Sequence, residues 1–157
     1  VTGARDGEVS VHGTIVVVGE AGILVRGGSG TGKSRLAQAL IDEGRARARF
    51  ARLVSDDRVR LVAQGGRLLA RSPERTSGMI EERGSGLLAV EHEAEAVIRC
   101  VVDLDPSNAP DGRHARLPDA ADNRDDLRGV DLPRIRLDRD LSPWEGAQRV
   151  LRRLERS

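Results

Sequence analysis

Lysine is almost missing from this chain. Of 26 basic residues, Lys33 is the only lysine and the rest are arginines. Aromatics are nearly absent too: Phe50 and Trp144 stand alone, and there is no tyrosine. Core packing therefore falls to Val, Leu, Ile and Ala, and the stacking platforms that single-stranded nucleic acid uses are lacking. Cysteine is limited to Cys100, which excludes an intramolecular disulfide and suits a reducing, cytoplasmic setting. No apolar run approaches the ~20 residues that a membrane-spanning helix needs, and no signal peptide is legible. Neither sign of charge dominates: 26 basic and 25 acidic residues are mixed along the chain and leave +1, so no basic field points to nucleic acid. The 157 residues, 38% of them hydrophobic, suit one domain over positions 1–157. The chain begins at Val1 rather than methionine, which leaves its natural ends open.

The position of the lone lysine is informative. It closes Gly27-Gly28-Ser29-Gly30-Thr31-Gly32-Lys33-Ser34, which fits G-x-x-x-x-G-K-[ST], the P-loop pattern. Arginine is a planar fork, whereas lysine is a compact point charge on a flexible stem. A phosphate cradle built from backbone N–H groups admits the ammonium more readily than the fork. A composition that uses arginine elsewhere and lysine here implies a nucleotide β/γ-phosphate, with the Ser34 hydroxyl on Mg²⁺. The alternative, an accidental glycine turn before a helix, does not explain the strand–loop–helix context.

The pattern around this motif predicts an α/β domain. Val9 to Val11 and Thr14 to Val18 read as strands on either side of His12-Gly13. Gly19 to Gly22 reads as a turn, giving a hairpin into a buried strand over Gly22 to Val25. Ser34 to Glu43 should be helix, with Leu36, Ala37, Leu40 and Ile41 on one face and Gly44 as its stop. Arg45 to Arg52 reads as a loop or a helix extension. Leu53-Val54-Ser55 is a strand ending at Asp56-Asp57. Val59 to Val62 and Arg67 to Ala70 flank a Gly65-Gly66 turn. Val97 to Val102 is the last central strand, Asp103 to Asp126 an exposed polar loop or weak helix, and Ile135 to Leu137 an edge strand. Ser142-Pro143-Trp144-Glu145 opens a final helix with an N-cap, a proline and a capping-box glutamate. That helix should present Trp144, Ala147, Val150, Leu151 and Leu154 on one face.

Other residues carry weaker signals. Asp56 and Asp57 leave a strand end on opposite sides, so one can serve a metal or its water while the other takes a proton. A solvated acidic turn is the competing reading, because Asp favours turns anyway. Glu81-Glu82-Arg83-Gly84-Ser85-Gly86 suits a loop approaching a ligand, although by itself an exposed turn is the commoner meaning. His12 beside a glycine is more often structural, His92 and His114 lack metal-ligand spacing, and Cys100 reads as core.

Taken in order, His12-Gly13, Gly27 to Ser34, Ser55-Asp56-Asp57 and Glu81 to Gly86 resemble the catalytic domain of the HPr kinase/phosphorylase family. The resemblance runs from His12 to about Leu137. It implies an α/β P-loop kinase domain with a mixed β-sheet around the P-loop helix, ATP and Mg²⁺ as cofactors, and transfer to a serine of an HPr-like phosphocarrier protein of the phosphotransferase system. Carried over by position, Lys33 neutralises β/γ-phosphate charge, Ser34, Asp56 and Glu81 serve Mg²⁺, Asp57 is the base for the acceptor hydroxyl, and His12 contacts phosphates. Arg116 is the match for the family's mobile-loop arginine. The family forms hexamers, which implies a homo-oligomer, while the assembly of this chain stays open.

The departures are specific. Long members carry an N-terminal domain with no counterpart here, so the chain resembles the short alphaproteobacterial versions. Arg35 stands where long forms have Glu, Ser85 replaces a leucine, and Arg45 to Arg52 lengthens the step to Asp56. The distal loop tied to phosphorolysis is not recognisable in Leu137 to Ser142, which favours kinase activity over its reversal. Two other readings stay open: a small-molecule P-loop kinase with Asp103 to Asp126 as lid, and a non-catalytic nucleotide-binding module.

Overall fold

The computed structural model describes residues 8–28, 30–72, 79–82, 86–89, 93–105, 123–138 and 140–156; for 79–82, 86–89 and 105 it describes the backbone only. Strands β1 (Glu8–His12), β2 (Thr14–Val18) and β3 (Ala21–Arg26) precede helix α1 (Lys33–Ala46). Then come β4 (Ala51–Ser55), β5 (Arg58–Gln64), β6 (Arg67–Arg71), β7 (Met79–Glu82), β8 (Gly86–Ala89) and β9 (Glu95–Asp105). Strands β10 (Arg124–Leu127) and β11 (Val130–Asp138) lead into α2 (Pro143–Glu155). Nine strands form one mixed sheet with the path β1-β5-β6-β9-β3-β2-β4, while β11 pairs with β9 and β10 with β11; β7 and β8 form a separate hairpin.

Both ends of that path are tied together by the chain, because β1 runs directly into β2 and β4 into β5. The sheet therefore folds over on itself. Ile15, Val17, Leu24 and Val54 from one part meet Val59, Leu61, Leu68 and Ala70 from the other in a buried cluster. The opposite face carries the helices: Val16, Val18, Ile23 and Val25 pack with Leu36 and Leu40 of α1 and Val150 and Leu151 of α2. Alternation along β2 and β3 sends successive side chains to the two cores, so these strands are buried on both faces and read as continuous apolar runs. In β9 the register skips from Gly22–Ile98 to Ile23–Cys100, leaving Arg99 as an inserted residue. This bulge lets Ile98 face one core and Cys100 the other.

The two expected hairpins are present: β2 pairs antiparallel with β3, and β5 with β6. Gly65 and Gly66 both have positive φ, 60° and 77°, which the tight turn between β5 and β6 requires. Four expectations need correction. Gly44 does not stop α1, which continues to Ala46. Its role is spatial: a Cβ there would lie 3.0 Å from Val18 and 3.1 Å from Ala51. Asp103 to Asp126 is not one loop, since 103–105 extend β9 and Arg124 to Leu127 form β10. Ile135 to Leu137 belongs to the longer β11, which lies between β9 and β10 and is not an edge. Trp144 is 51% exposed and leaves the apolar face of α2 to Ala147, Val150, Leu151 and the half-buried Leu154. The N-cap of α2 is as expected, with the Glu145 N–H donating to Ser142 Oγ at 3.1 Å.

Candidate active site

Strand β3 delivers the chain to the glycine loop, and α1 leaves it. Gly30 and Gly32 have φ of 79° and 100°, a region open to glycine and costly for other residues. Gly32 is the N-cap of α1 and offers no side-chain cap, and the first turn holds no acidic residue. The leading N–H groups of the helix, with its positive dipole end, therefore face the loop without a capping side chain of their own. Thr31 closes the loop by donating from Oγ1 to the Gly28 carbonyl at 2.7 Å. The Lys33 ammonium donates to the carbonyls of Gly27 at 2.9 Å and Gly28 at 3.3 Å, which holds its charge at the loop.

The fold-over of the sheet brings two more segments to the same end. Thr14 pairs with Val25, so the start of β2 lies beside the end of β3. The Gly13 N–H donates to the Asp57 carbonyl at 3.1 Å, joining the β1–β2 crossing to the β4–β5 crossing. Gly13 has little room for a side chain, since a Cβ would sit 2.9 Å from Leu24. Ser55 Oγ donates to the Arg58 carbonyl and pins the turn that carries the aspartates.

Those aspartates diverge. Asp56 turns toward α1: Ser34 Oγ donates to its two oxygens at 3.1 and 3.2 Å, and Thr14 Oγ1 donates to Oδ1 at 2.8 Å. Asp57 adopts a left-handed φ of 75°, which Asp tolerates better than most residues. Its carboxylate points the other way, 81% exposed, with Oδ1 3.9 Å from His12 Nδ1. The spacing thus sets a hydroxyl and one carboxylate together at the helix start, and leaves the second carboxylate open to solvent. Among the described residues no three His, Cys, Asp or Glu side chains gather to hold a metal. A Ser34–Asp56 pair still suits Mg²⁺, which takes one or two carboxylates and fills its remaining positions with waters and phosphate oxygens.

Against known proteins, the HPr Serine kinase C-terminal domain matches residues 6–139. The chain belongs to this family. It is similar to the HPr kinase/phosphorylase of Clostridium beijerinckii, 45% identical over 83 residues that make up 53% of this chain and 26% of that protein. The corresponding protein of Clostridium perfringens is also 45% identical over 83 residues, covering 53% of this chain and 25% of its own length. The match thus takes in about a quarter of the length of these relatives. The structure of the Hpr(Ser) kinase/phosphatase from Coxiella burnetii superposes with a TM-score of 0.69, covering 94% of this chain and 97% of that one at 22% identity, and so shares the fold.

Of the residues singled out from the sequence, the fold gathers His12, Gly27, Gly28, Gly30, Thr31, Gly32, Lys33, Ser34, Asp56 and Asp57 at one end of the sheet. Glu81 falls on β7, and its side chain lies outside the described residues, as do Ser29 and Arg116 altogether. Two contributors were not foreseen. Thr14 is fully buried and orients Asp56; its only sequence signal is its place directly after His12-Gly13. Arg26, immediately before Gly27, donates to Asp103 at 2.8 and 2.9 Å and to Asp125 at 2.7 Å, and Arg134 also donates to Asp103. Burial alone would raise the Asp103 pKa, but the bonds and charges of Arg26 and Arg134 outweigh it and hold the carboxyl below its ordinary value. This network anchors the stem of the glycine loop. Cys100 is fully buried, and burial pushes its thiol up to about 12 against a smaller opposing pull from Arg153.

Proposed function

We propose that the chain is the catalytic part of an ATP- and Mg²⁺-dependent protein serine kinase whose acceptor is an HPr-like phosphocarrier protein. The observation that carries this reading is the divergence of the aspartates: Asp56 is held by Ser34 and Thr14 at the start of α1, while Asp57 stands exposed beside His12. Phosphoryl transfer asks a protein chiefly for positioning and charge neutralisation. The N–H groups of the glycine loop and Lys33 would hold the β- and γ-phosphates, with His12 at their edge. Ser34 and Asp56, completed by Glu81, would hold Mg²⁺, which when bound supplies charge neutralisation across the phosphate oxygens. Asp57 would take the proton of the acceptor hydroxyl as the serine oxygen bonds to the γ-phosphorus; the bond from that phosphorus to the β–γ bridging oxygen breaks, and ADP leaves. Arg116 would neutralise charge on the transferring group.

The exposure of Asp57 suits an acceptor presented on a folded protein better than a small molecule enclosed in a pocket. Transfer without efficient phosphorolysis follows from the Leu137 to Ser142 segment, which lacks the pattern tied to the reverse reaction. The test is Asp57→Asn. Transfer should fall by about 10²- to 10⁴-fold, the usual contribution of a general base, while ATP affinity holds. Parallel loss of binding and transfer would remove Asp57 from the role of base.

A further inference from the structure

Trp144 is the only tryptophan of the chain and stands 51% exposed, although every buried apolar side chain among the described residues is aliphatic or cysteine. The other aromatic residue, Phe50, is covered by the Arg52 guanidinium at 4.5 Å. Among the described residues no hydrogen bond, ion pair or ring contact engages the indole of Trp144. Strands β3, β9 and β11 are adjacent and parallel, so the glycine loop after β3 and the turn into α2 after β11 leave the same edge of the sheet. Two strand spacings, about 10 Å, separate them. Side chains bridge that gap: a Cβ on Gly27 would lie 3.2 Å from Leu104, Leu137 pairs with Leu104, and a Cβ on Gly146 would meet Leu137 and Leu36 at 3.2 Å each. Helices α1 and α2 therefore start together. They also end together, since Arg47 donates to Glu155 at 2.9 Å. Trp144 lies about three turns before Glu155, and so on the same side of α2, the side turned to α1.

Packing does not explain the indole, because Ala147, Val150 and Leu151 already fill the core under α2. A ring of this size left in water forgoes the largest burial gain any side chain offers. Its surroundings suit a neutral flat ring better than a further phosphate: Asp138, Asp140 and Glu145 outnumber Arg139 in this stretch. They do not suit the apolar centre of a protein interface. Phe50 is the one other exposed large apolar side chain among the described residues, and it lies beyond the far end of α1. A nucleotide with its terminal phosphates in the glycine loop carries its base one phosphate and one ribose away, a span that matches the two strand spacings. Every base has a π-face that stacks on an aromatic ring.

We propose that the Trp144 indole stacks on the base of the nucleotide held by the glycine loop and supplies much of the affinity for that base. The inference rests on the reading of the loop as a nucleotide site. With one tryptophan and no tyrosine in the chain, indole emission reports on this position alone. ADP titrated into the chain should quench that emission, at a midpoint matching its affinity by calorimetry. Inorganic tripolyphosphate, which fills the loop without a base, should bind and leave the emission unchanged. Trp144→Leu should weaken ADP by about 5- to 150-fold, the range of base–aromatic stacking, and leave tripolyphosphate affinity as it was. Trp144→Phe keeps a ring and should recover most of the loss. The indole is exposed, so circular dichroism should report an unchanged fold in both variants. ADP that binds without quenching, equal quenching by tripolyphosphate, or equal weakening of both ligands by Trp144→Leu would each overturn the inference and leave the kinase reading standing. So would full ADP affinity in the leucine variant; a raised KM for the acceptor protein in that variant would then assign the indole to protein docking. No ADP binding by the unaltered chain would overturn both readings.

Discussion

Replacing Asp103 by Asn tests whether the stem of the glycine loop is held electrostatically. The Asp103 side chain is 11% exposed and accepts from Arg26 twice and Arg134 once; those arginines are 28% and 21% exposed. Removing one member of a buried ion pair costs about 3–5 kcal/mol, because the other is left desolvated. Here Arg26 keeps its bond to Asp125, the Asn carbonyl still accepts one bond, and water reaches both arginines, so the expected cost is about 2–3 kcal/mol. For a chain of this size that lowers Tm by roughly 5–10 °C. Urea denaturation should show a lower midpoint with an unchanged slope. Asp125→Asn removes a single, more exposed contact and should cost about 1 kcal/mol or less. The pH dependence has a definite sign. Because the folded carboxyl titrates below its unfolded value, its contribution is present above about pH 4 and is lost as pH falls through the folded pKa. The Asn variant should lack that part of the acid limb. A cost under about 0.5 kcal/mol, or an acid limb identical to that of the unaltered chain, would refute the reasoning.

Other outcomes follow from single contacts. Thr14→Val keeps the buried shape but removes the 2.8 Å bond to Asp56; the Mg²⁺ concentration for half-maximal activity should rise about tenfold, the effect expected of an outer-shell partner, with ATP binding in EDTA unchanged. An unaltered Mg²⁺ dependence would show that Thr14 does not position the carboxylate. Cys100, buried with its thiol pushed up to about 12, should resist a thiol reagent at pH 8 in the folded chain and react fully in denaturant. Rapid labelling of the native protein would contradict its place in the core.

The site was more legible than the sheet. Gly27-Gly28, Gly30 to Ser34, His12-Gly13 and Asp56-Asp57 are short local patterns, and each sits where local turn and helix rules put it. The hairpins were readable for the same reason, since Gly65-Gly66 and Gly19-Glu20 fix neighbouring strands. What local patterns do not carry is long-range pairing. Nothing in residues 8–12 states that β1 pairs with β5 some fifty residues away and not with the adjacent β2. Strand β11 was underestimated because Asp131, Pro133, Arg134 and Arg136 interrupt its apolar alternation; its neighbours β9 and β10 supply the pairing and the ion pairs that make such a strand stable. Asp103 was read as loop because it is charged, whereas Arg26 and Arg134 make it a buried strand residue. Gly44 obeyed packing against Val18 and Ala51 and not the helix-stop rule.

The central claim is tested most directly by incubating the chain with γ-labelled ATP, Mg²⁺ and an HPr-like protein, alongside the same acceptor with its target serine replaced by alanine. The account predicts label on the first acceptor, none on the second, and labelling of the first slowed by about 10²- to 10⁴-fold with Asp57→Asn. Tight ATP binding with no label on the acceptor protein, or label that persists on the alanine acceptor, would contradict it.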